Sequence, residues 1–216
     1  LLPKIYQQDF LELLSQHMTP SNFMETTQFN KIESIYFDSE KFDLYYDHIF
    51  QSPQRFKIRL RRYGANGNFN DHDTYLLEVK SKKNSSNGIG VKTKKYRFYL
   101  SAAQVEDLYD GNLLYPDDES KVLNKLLGEQ QLQKLLNKVN KLLLKFHPQP
   151  TVVINYERRA FETDGLRVTC DDSLSYDPLL SPEIAVQNEY TNKLADKFNI
   201  IPSVIVELKH VGQIPT

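Results

Sequence analysis

Apolar and charged residues alternate along several short stretches of the chain, most sharply from Gln54 to Gly64 (QRFKIRLRRYG). There Phe56, Ile58 and Leu60 take every second position, and Arg55, Lys57, Arg59 and Arg61 fill the places between them. A strand sends successive side chains to opposite faces, so this pattern predicts a strand with one oily and one cationic face. Alternation and β-forming residues predict further strands over Lys31–Asp38, Thr74–Lys83, Val91–Leu100, Thr151–Arg159, Leu166–Asp171 and Val204–Val211. Helical spacing governs Lys4–His17, with Ile5, Phe10, Leu11, Leu13 and Leu14, and the leucine-rich stretch Asp117–Phe146, where a break is expected near Gly128. Shorter helices are predicted within Ser39–Ile49 and after Ser101, whose hydroxyl suits an N-cap. Gly64–Asp73 and Asn84–Gly88 read as turns. The stretch Ser173–Pro202 is weakly patterned, with a helix expected over Glu183–Phe198.

The charged face of the first strand recurs in the others. Glu78, Lys80 and Lys82 share a face opposite Leu77 and Val79, and Lys92 shares one with Lys94. Tyr156 and Arg158 alternate with Asn155 and Glu157; Arg167, Thr169 and Asp171 with Leu166, Val168 and Cys170; Glu207 and Lys209 with Val206 and Leu208. Like charges crowded on one face repel, and they persist only when water solvates them or an anion neutralises them. For one strand, solvation is the ordinary explanation. Six strands with the same habit favour a closed sheet whose charged faces line a bore and whose apolar faces lie under helices. The expected fold class is therefore α+β: an antiparallel β-barrel with helices packed on its outside. A cationic bore focuses field on a polyanion, and carboxylates in it can hold a divalent metal through hard oxygen ligands.

Composition narrows the partner. The chain has 216 residues, 40% hydrophobic and 25% charged, with a formal net charge of −1. Between Phe56 and Arg97, eleven Lys and Arg face three acidic residues, so the rest of the chain is net acidic. Local rather than general basicity favours a pocket over a nucleic-acid coat, and the surface aromatics of a stacking platform are lacking, so no nucleic-acid partner is expected. One cysteine, Cys170, excludes an internal disulfide and suits a reducing, cytoplasmic setting. Its place on an apolar face marks it as core. No stretch approaches the roughly 18–20 consecutive apolar residues of a membrane span. A single domain over residues 1–216 is expected, and the opening Leu1-Leu2-Pro3, without methionine, suggests a piece of a longer protein, with any membrane tether outside this chain.

The residues in this order resemble the vacuolar transporter chaperone (VTC) family, within the CYTH-like triphosphate tunnel metalloenzymes. Ile32-Glu33-Ser34-Ile35-Tyr36-Phe37-Asp38, with Tyr45 downstream, is similar to the family's I-x-S-x-Y-F-D stretch. Lys57 to Gly64 resembles K-x-R-x-R-x-Y-G, Leu77-Glu78-Val79-Lys80 resembles L-E-x-K, and Val91-Lys92-Thr93-Lys94 resembles V-K-x-[RK]. Tyr156 to Phe161 is similar to Y-x-R-x-A-F, Leu166 to Asp171 to L-R-[IV]-[ST]-x-D, and Val206-Glu207-Leu208-Lys209 to the late E-x-K. Each match is short; seven in family order are specific.

The resemblance implies a triphosphate tunnel and a polyphosphate polymerase, which transfers the γ-phosphate of ATP to a polyphosphate chain with Mn2+ or Mg2+. It also allows a tunnel triphosphatase, or a non-catalytic domain that binds polyphosphate as sensor or scaffold. By residue, it implies catalytic roles for Arg59, Arg61, Lys80, Arg158 and Arg167. Binding of ATP, triphosphate or polyphosphate would fall to these together with Lys57, Glu78, Lys92, Lys94, Tyr156 and Lys209, and metal binding to Glu207. Two departures stand out. Family members usually begin with a lysine-bearing strand, for which Lys4 is a poor substitute, and continue past the E-x-K strand into a segment with a further lysine and a serine. The expectation is a tunnel lacking its first strand and its C-terminal segment.

Overall fold

The computed structural model describes residues 1–21, 29–65, 69, 74–85, 90–179 and 203–210. The helix expected over Glu183–Phe198 and most of the two expected turns lie outside these residues. In chain order the elements are β1 (Leu2–Pro3), a 3-10 turn (Lys4–Tyr6), α1 (Gln7–His17), β2 (Thr19–Pro20), β3 (Asn30–Asp38), α2 (Asp43–Ile49), β4 (Gln54–Ala65), β5 (Tyr75–Asn84) and β6 (Val91–Leu100). There follow α3 (Ala102–Tyr109), α4 (Asp118–Leu123), α5 (Glu129–Phe146), β7 (Gln149–Thr163), β8 (Leu166–Pro178) and β9 (Ser203–His210). Every strand and helix predicted within the described residues is present. β7 and β8 run several residues past the predicted ends, and the two-residue strands β1 and β2 carry too little pattern to predict.

The strands are hydrogen-bonded in the order β1-β9-β8-β7-β3-β4-β5-β6, with β2 beside β7. The α+β, mostly antiparallel architecture is as expected. β1 and β6, at the ends of the order, are not paired among the described residues, so hydrogen bonds do not close the sheet there. The chain divides into two compact units: residues 1–33, 63–71 and 154–216 form one, and 34–62 with 72–153 the other.

The larger core belongs to the second unit. Ile58 and Leu60 of β4, Leu77 and Val79 of β5, and Phe98 and Leu100 of β6 are buried together with Leu108 of α3 and Leu132, Leu135, Leu136, Val139 and Leu143 of α5. The α5 residues recur at helical spacing, so one stripe of the helix covers the apolar sheet face. Each such side chain contributes about 1.5–3 kcal/mol on burial. That stripe is why the alternating strands turn their charged residues to the other side. Gly128, at φ 74°, stands as the N-cap of α5 and separates it from α4. Ser101 caps α3 in a reciprocal capping box with Gln104. Two buried asparagines tie the helices down by mimicking a strand partner. Asn124 accepts from Tyr99 N and donates to Tyr99 O, both at 2.8 Å, and Asn140 does the same with Leu114 at 2.9 and 2.8 Å.

In the first unit, Leu14 of α1 is buried against Val168 and Cys170 of β8 and Val204 of β9, with Phe10, Leu11, Phe161 and Val206 packed around them. Cys170 is thus core, as its position in the strand pattern indicated. Burial pushes its thiol up to about 11.

Candidate functional site

Strand register decides which charged residues share a face. β4 and β5 pair Lys57 with Lys80, Arg59 with Glu78 and Arg55 with Lys82, while β5 and β6 pair Glu78 with Arg97 and Lys80 with Lys95. Directly opposite residues point to the same side of a sheet. Arg59, Arg61, Glu78, Lys80, Lys95 and Arg97 therefore stand on one face, across from the core.

At its centre is Glu78, a carboxylate only 2% exposed. Arg59 donates to it from Nε at 2.7 Å and Arg97 from Nε at 2.8 Å; Lys95 Nζ lies at 2.8 Å and Arg61 Nη1 at 3.7 Å. Burial alone would raise the Glu78 carboxyl, but Arg59, Lys95 and Arg61 outweigh it and hold the group down at about 2. One anion is thus shared by four cations. Lys80, on the same face, has its ammonium pushed below the usual range, first by burial and then by Lys82, Lys57, Lys95 and Arg59. The face is short of negative charge.

The I-x-S-x-Y-F-D stretch supplies the support. Tyr36 Oη accepts from Arg59 Nη1 at 2.9 Å and Ser34 Oγ from Arg61 Nε at 3.0 Å. Burial works against the charged form of Arg59, yet Tyr36 and Glu78 more than offset it and raise its affinity for the proton. Asp38, the third polar member, accepts from the backbone N of Ser39, Leu44 and Tyr45, each at 2.8 Å, and caps α2. Its role is structural; Ser34 and Tyr36 aim the two arginines.

β6 requires a correction. Lys92 and Lys94 stand opposite Lys83 and Ser81, one position out of phase with Glu78, so the sheet does not bring them to the Glu78 face. Lys95 and Arg97 take their place. Matching the strand on its first lysines shifts the phase by one, and in a pleated strand one residue changes the face. The core positions Tyr96, Phe98 and Leu100 carry the signal that would have fixed the phase.

The first unit holds a second polar group. Arg158 donates from Nε and Nη2 to the two carboxylate oxygens of Asp171, both at 2.6 Å, and lies 5.3 Å from the centre of the buried Tyr156 ring. Burial opposes its charge, but the Asp171 hydrogen bonds prevail and raise the guanidinium's proton affinity. On the neighbouring strands, Arg167 stands opposite Lys209, and Thr169 opposite Glu207. Arg167 Nε is 3.4 Å from Glu162, and Lys209 Nζ is 3.1 Å from the exposed Glu207 carboxylate. Lys4 is occupied elsewhere, 3.3 Å from Asp172.

For a metal, the donor expected from the sequence is Glu207. Among the described residues no three His, Cys, Asp or Glu side chains come together as a ligand cage. A single accessible carboxylate nevertheless suits magnesium or manganese at a phosphate site, where one or two carboxylates combine with water and substrate oxygens. Among the described residues, the donor set is of the kind that fits a metal carried by phosphate.

The family described as “VTC domain” matches residues 6–216. The chain is 23% identical to vacuolar transporter chaperone complex subunit 4 of Trypanosoma brucei brucei over 89% of its own length and 27% of that protein's. It is 26% identical to vacuolar transporter chaperone complex subunit 2 of Schizosaccharomyces pombe over 61% of its length and 17% of that protein's. The chain thus spans about a quarter or less of these curated relatives. Among solved structures, the PH1819 protein of Pyrococcus horikoshii is similar at 14% identity and a TM-score of 0.33, with 87% of this chain and 90% of that one covered.

Proposed function

The chain belongs to the VTC domain family, and from that premise we propose that it binds a chain of phosphates and acts as a polyphosphate polymerase domain. The observation that carries this reading is the Glu78 face, where four cations share one buried carboxylate and the ammonium of Lys80 is disfavoured by its own neighbours. Such a face gains most from a ligand with several negative charges at short spacing. Arg59 and Arg61 present planar forks suited to phosphate oxygens, and their orientation is fixed in advance by Tyr36 and Ser34. Lys57 and Lys80 extend the cationic row. Arg158 and Arg167 are assigned to phosphate in the first unit, Arg158 being oriented by Asp171.

In the proposed reaction, a terminal oxygen of the acceptor polyphosphate attacks the γ-phosphorus of ATP. The bond between that phosphorus and the β–γ bridging oxygen breaks, and ADP leaves with the electron pair. Positioning and charge neutralisation are most of what such a transfer asks of a protein. A divalent ion held by Glu207 and phosphate oxygens would offset the charge on the transferred and leaving oxygens. The relatives named above are subunits of a complex, and we extend to this chain a place in an assembly. Cytoplasmic exposure of the domain, with any membrane tether in other segments, belongs to the same proposal.

Phosphorus NMR of the purified chain with ATP and Mn2+ tests the reading. Loss of ATP with growth of internal polyphosphate signals is expected. Release of free phosphate alone would identify a triphosphatase, and tight tripolyphosphate binding without turnover a sensor or scaffold. Absence of any tripolyphosphate binding, or RNA binding that tripolyphosphate fails to displace, overturns the proposal.

A further inference from the structure

Thr169 lies inside β8, is 2% exposed, and its Oγ1 is buried without a hydrogen-bond partner among the described residues. Buried hydroxyls are nearly always paired, because an orphaned one forfeits its bonds to water and gains nothing in return. The position of this one is telling. It stands directly opposite Glu207, with Arg167 and Asp171 two residues away on either side and on the same face. Asp171 in turn fixes Arg158. The orphan hydroxyl is therefore set among the first unit's proposed phosphate cations and beside its proposed metal carboxylate, whereas the apolar neighbours Val168 and Cys170 turn to the core.

We propose that Thr169 is a substrate-binding residue whose Oγ1–H donates to a phosphoryl oxygen of the bound polyphosphate. The inference rests on the phosphate-binding reading above and adds a neutral donor to a site otherwise read through its charges. A neutral donor has a use there: it binds an anionic oxygen without adding another cation to a face that already repels itself. Because Oγ1 is closed to solvent, a phosphoryl oxygen reaches it by parting the side chains that cover it, and then completes its hydrogen bonding.

The test compares the full chain with Thr169→Val and Thr169→Ser, measuring thermal midpoints without ligand and tripolyphosphate affinity by calorimetry. Valine keeps the shape and removes the hydroxyl. Because no protein group loses a bond, Thr169→Val is expected to melt at the same temperature as the unchanged chain or higher, yet to bind tripolyphosphate about tenfold or more weakly, the scale of a hydrogen bond to a charged group. Thr169→Ser is expected to keep the affinity within about threefold while losing some thermal stability with its methyl group. Valine binding as tightly as threonine overturns the inference while leaving phosphate binding intact. A Thr169→Val protein that melts earlier or fails to fold also overturns it, since the hydroxyl then has a structural partner. If the unchanged chain does not bind tripolyphosphate, the wider reading falls first and this inference with it.

Discussion

Replacing Glu78 with glutamine removes the one counter-charge that four cations share. Its carboxyl is held at about 2 against an ordinary 4.5. Because the folded-state value lies below the unfolded one, the carboxylate contributes stability that is fully present above the ordinary value and is lost as pH falls towards 2. A displacement of that size corresponds to about 3 kcal/mol near neutral pH, comparable to the loss when one partner of a buried ion pair is deleted. Glu78→Gln is therefore expected to be about 3 kcal/mol less stable at pH 7 in urea unfolding. The chain has no tryptophan, so far-UV circular dichroism is the suitable probe. The gap should narrow on acidification, with roughly 2 kcal/mol of it gone by pH 3. Saturating tripolyphosphate should also stabilise the variant more than the parent, because the ligand then provides the charge that glutamine lacks. A variant as stable as the parent at pH 7, or a gap unchanged from pH 7 to pH 3, would refute the account of Glu78 as the site's internal anion.

Other outcomes follow from the same geometry. Lys95→Gln with Arg97→Gln should weaken tripolyphosphate binding at least tenfold and flatten its salt dependence, whereas Lys92→Gln with Lys94→Gln should change affinity by less than about threefold; titration calorimetry at two salt concentrations compares them, and the reverse ranking contradicts the β6 register. Arg158→Lys keeps the charge but loses the two-pronged bond to Asp171, so about 1.5–3 kcal/mol of ligand affinity should go with the fork; unchanged affinity would show that orientation there is unimportant. Cys170, with its thiol at about 11 and almost no exposure, should resist iodoacetamide at pH 8 in the native state and react readily in urea. Fast native labelling would mean that the first unit's core opens.

Much of the fold was legible because its signals are local. Alternation in β4 and β5, the leucine stripe of α5, the cap at Ser101 and the break at Gly128 each state their structure within a few residues. Faces were legible wherever large apolar residues fix the phase, as at Ile58 and Leu60. On β6 the run Lys92-Thr93-Lys94-Lys95 is polar at every position, so the phase had to come from Phe98 and Leu100, and reading from the other end placed Lys92 and Lys94, not Lys95 and Arg97, on the face of Glu78. Pairing partners were less legible still. That Tyr36 and Ser34 would hold Arg59 and Arg61, or that Asp171 would grip Arg158, depends on contacts between distant stretches of chain, and only the alternation of Ser34 with Tyr36 hinted that both face one way. Sheet closure is likewise a long-range property: six charged faces argue for a bore, while the hydrogen bonds among the described residues leave the ends of the sheet unpaired.

The terminal place of β6 in the strand order carries a cost and a safeguard. One long side of the strand lacks a strand neighbour among the described residues, Asn124 standing in for one at Tyr99, and such an edge invites another molecule to add on. Lysines on both faces of β6 make that approach electrostatically unfavourable. A polyanion that coats them disarms the guard, so clouding or fibre growth is to be expected in concentrated, low-salt mixtures near charge balance, and excess polyanion should redissolve them by restoring a net like charge.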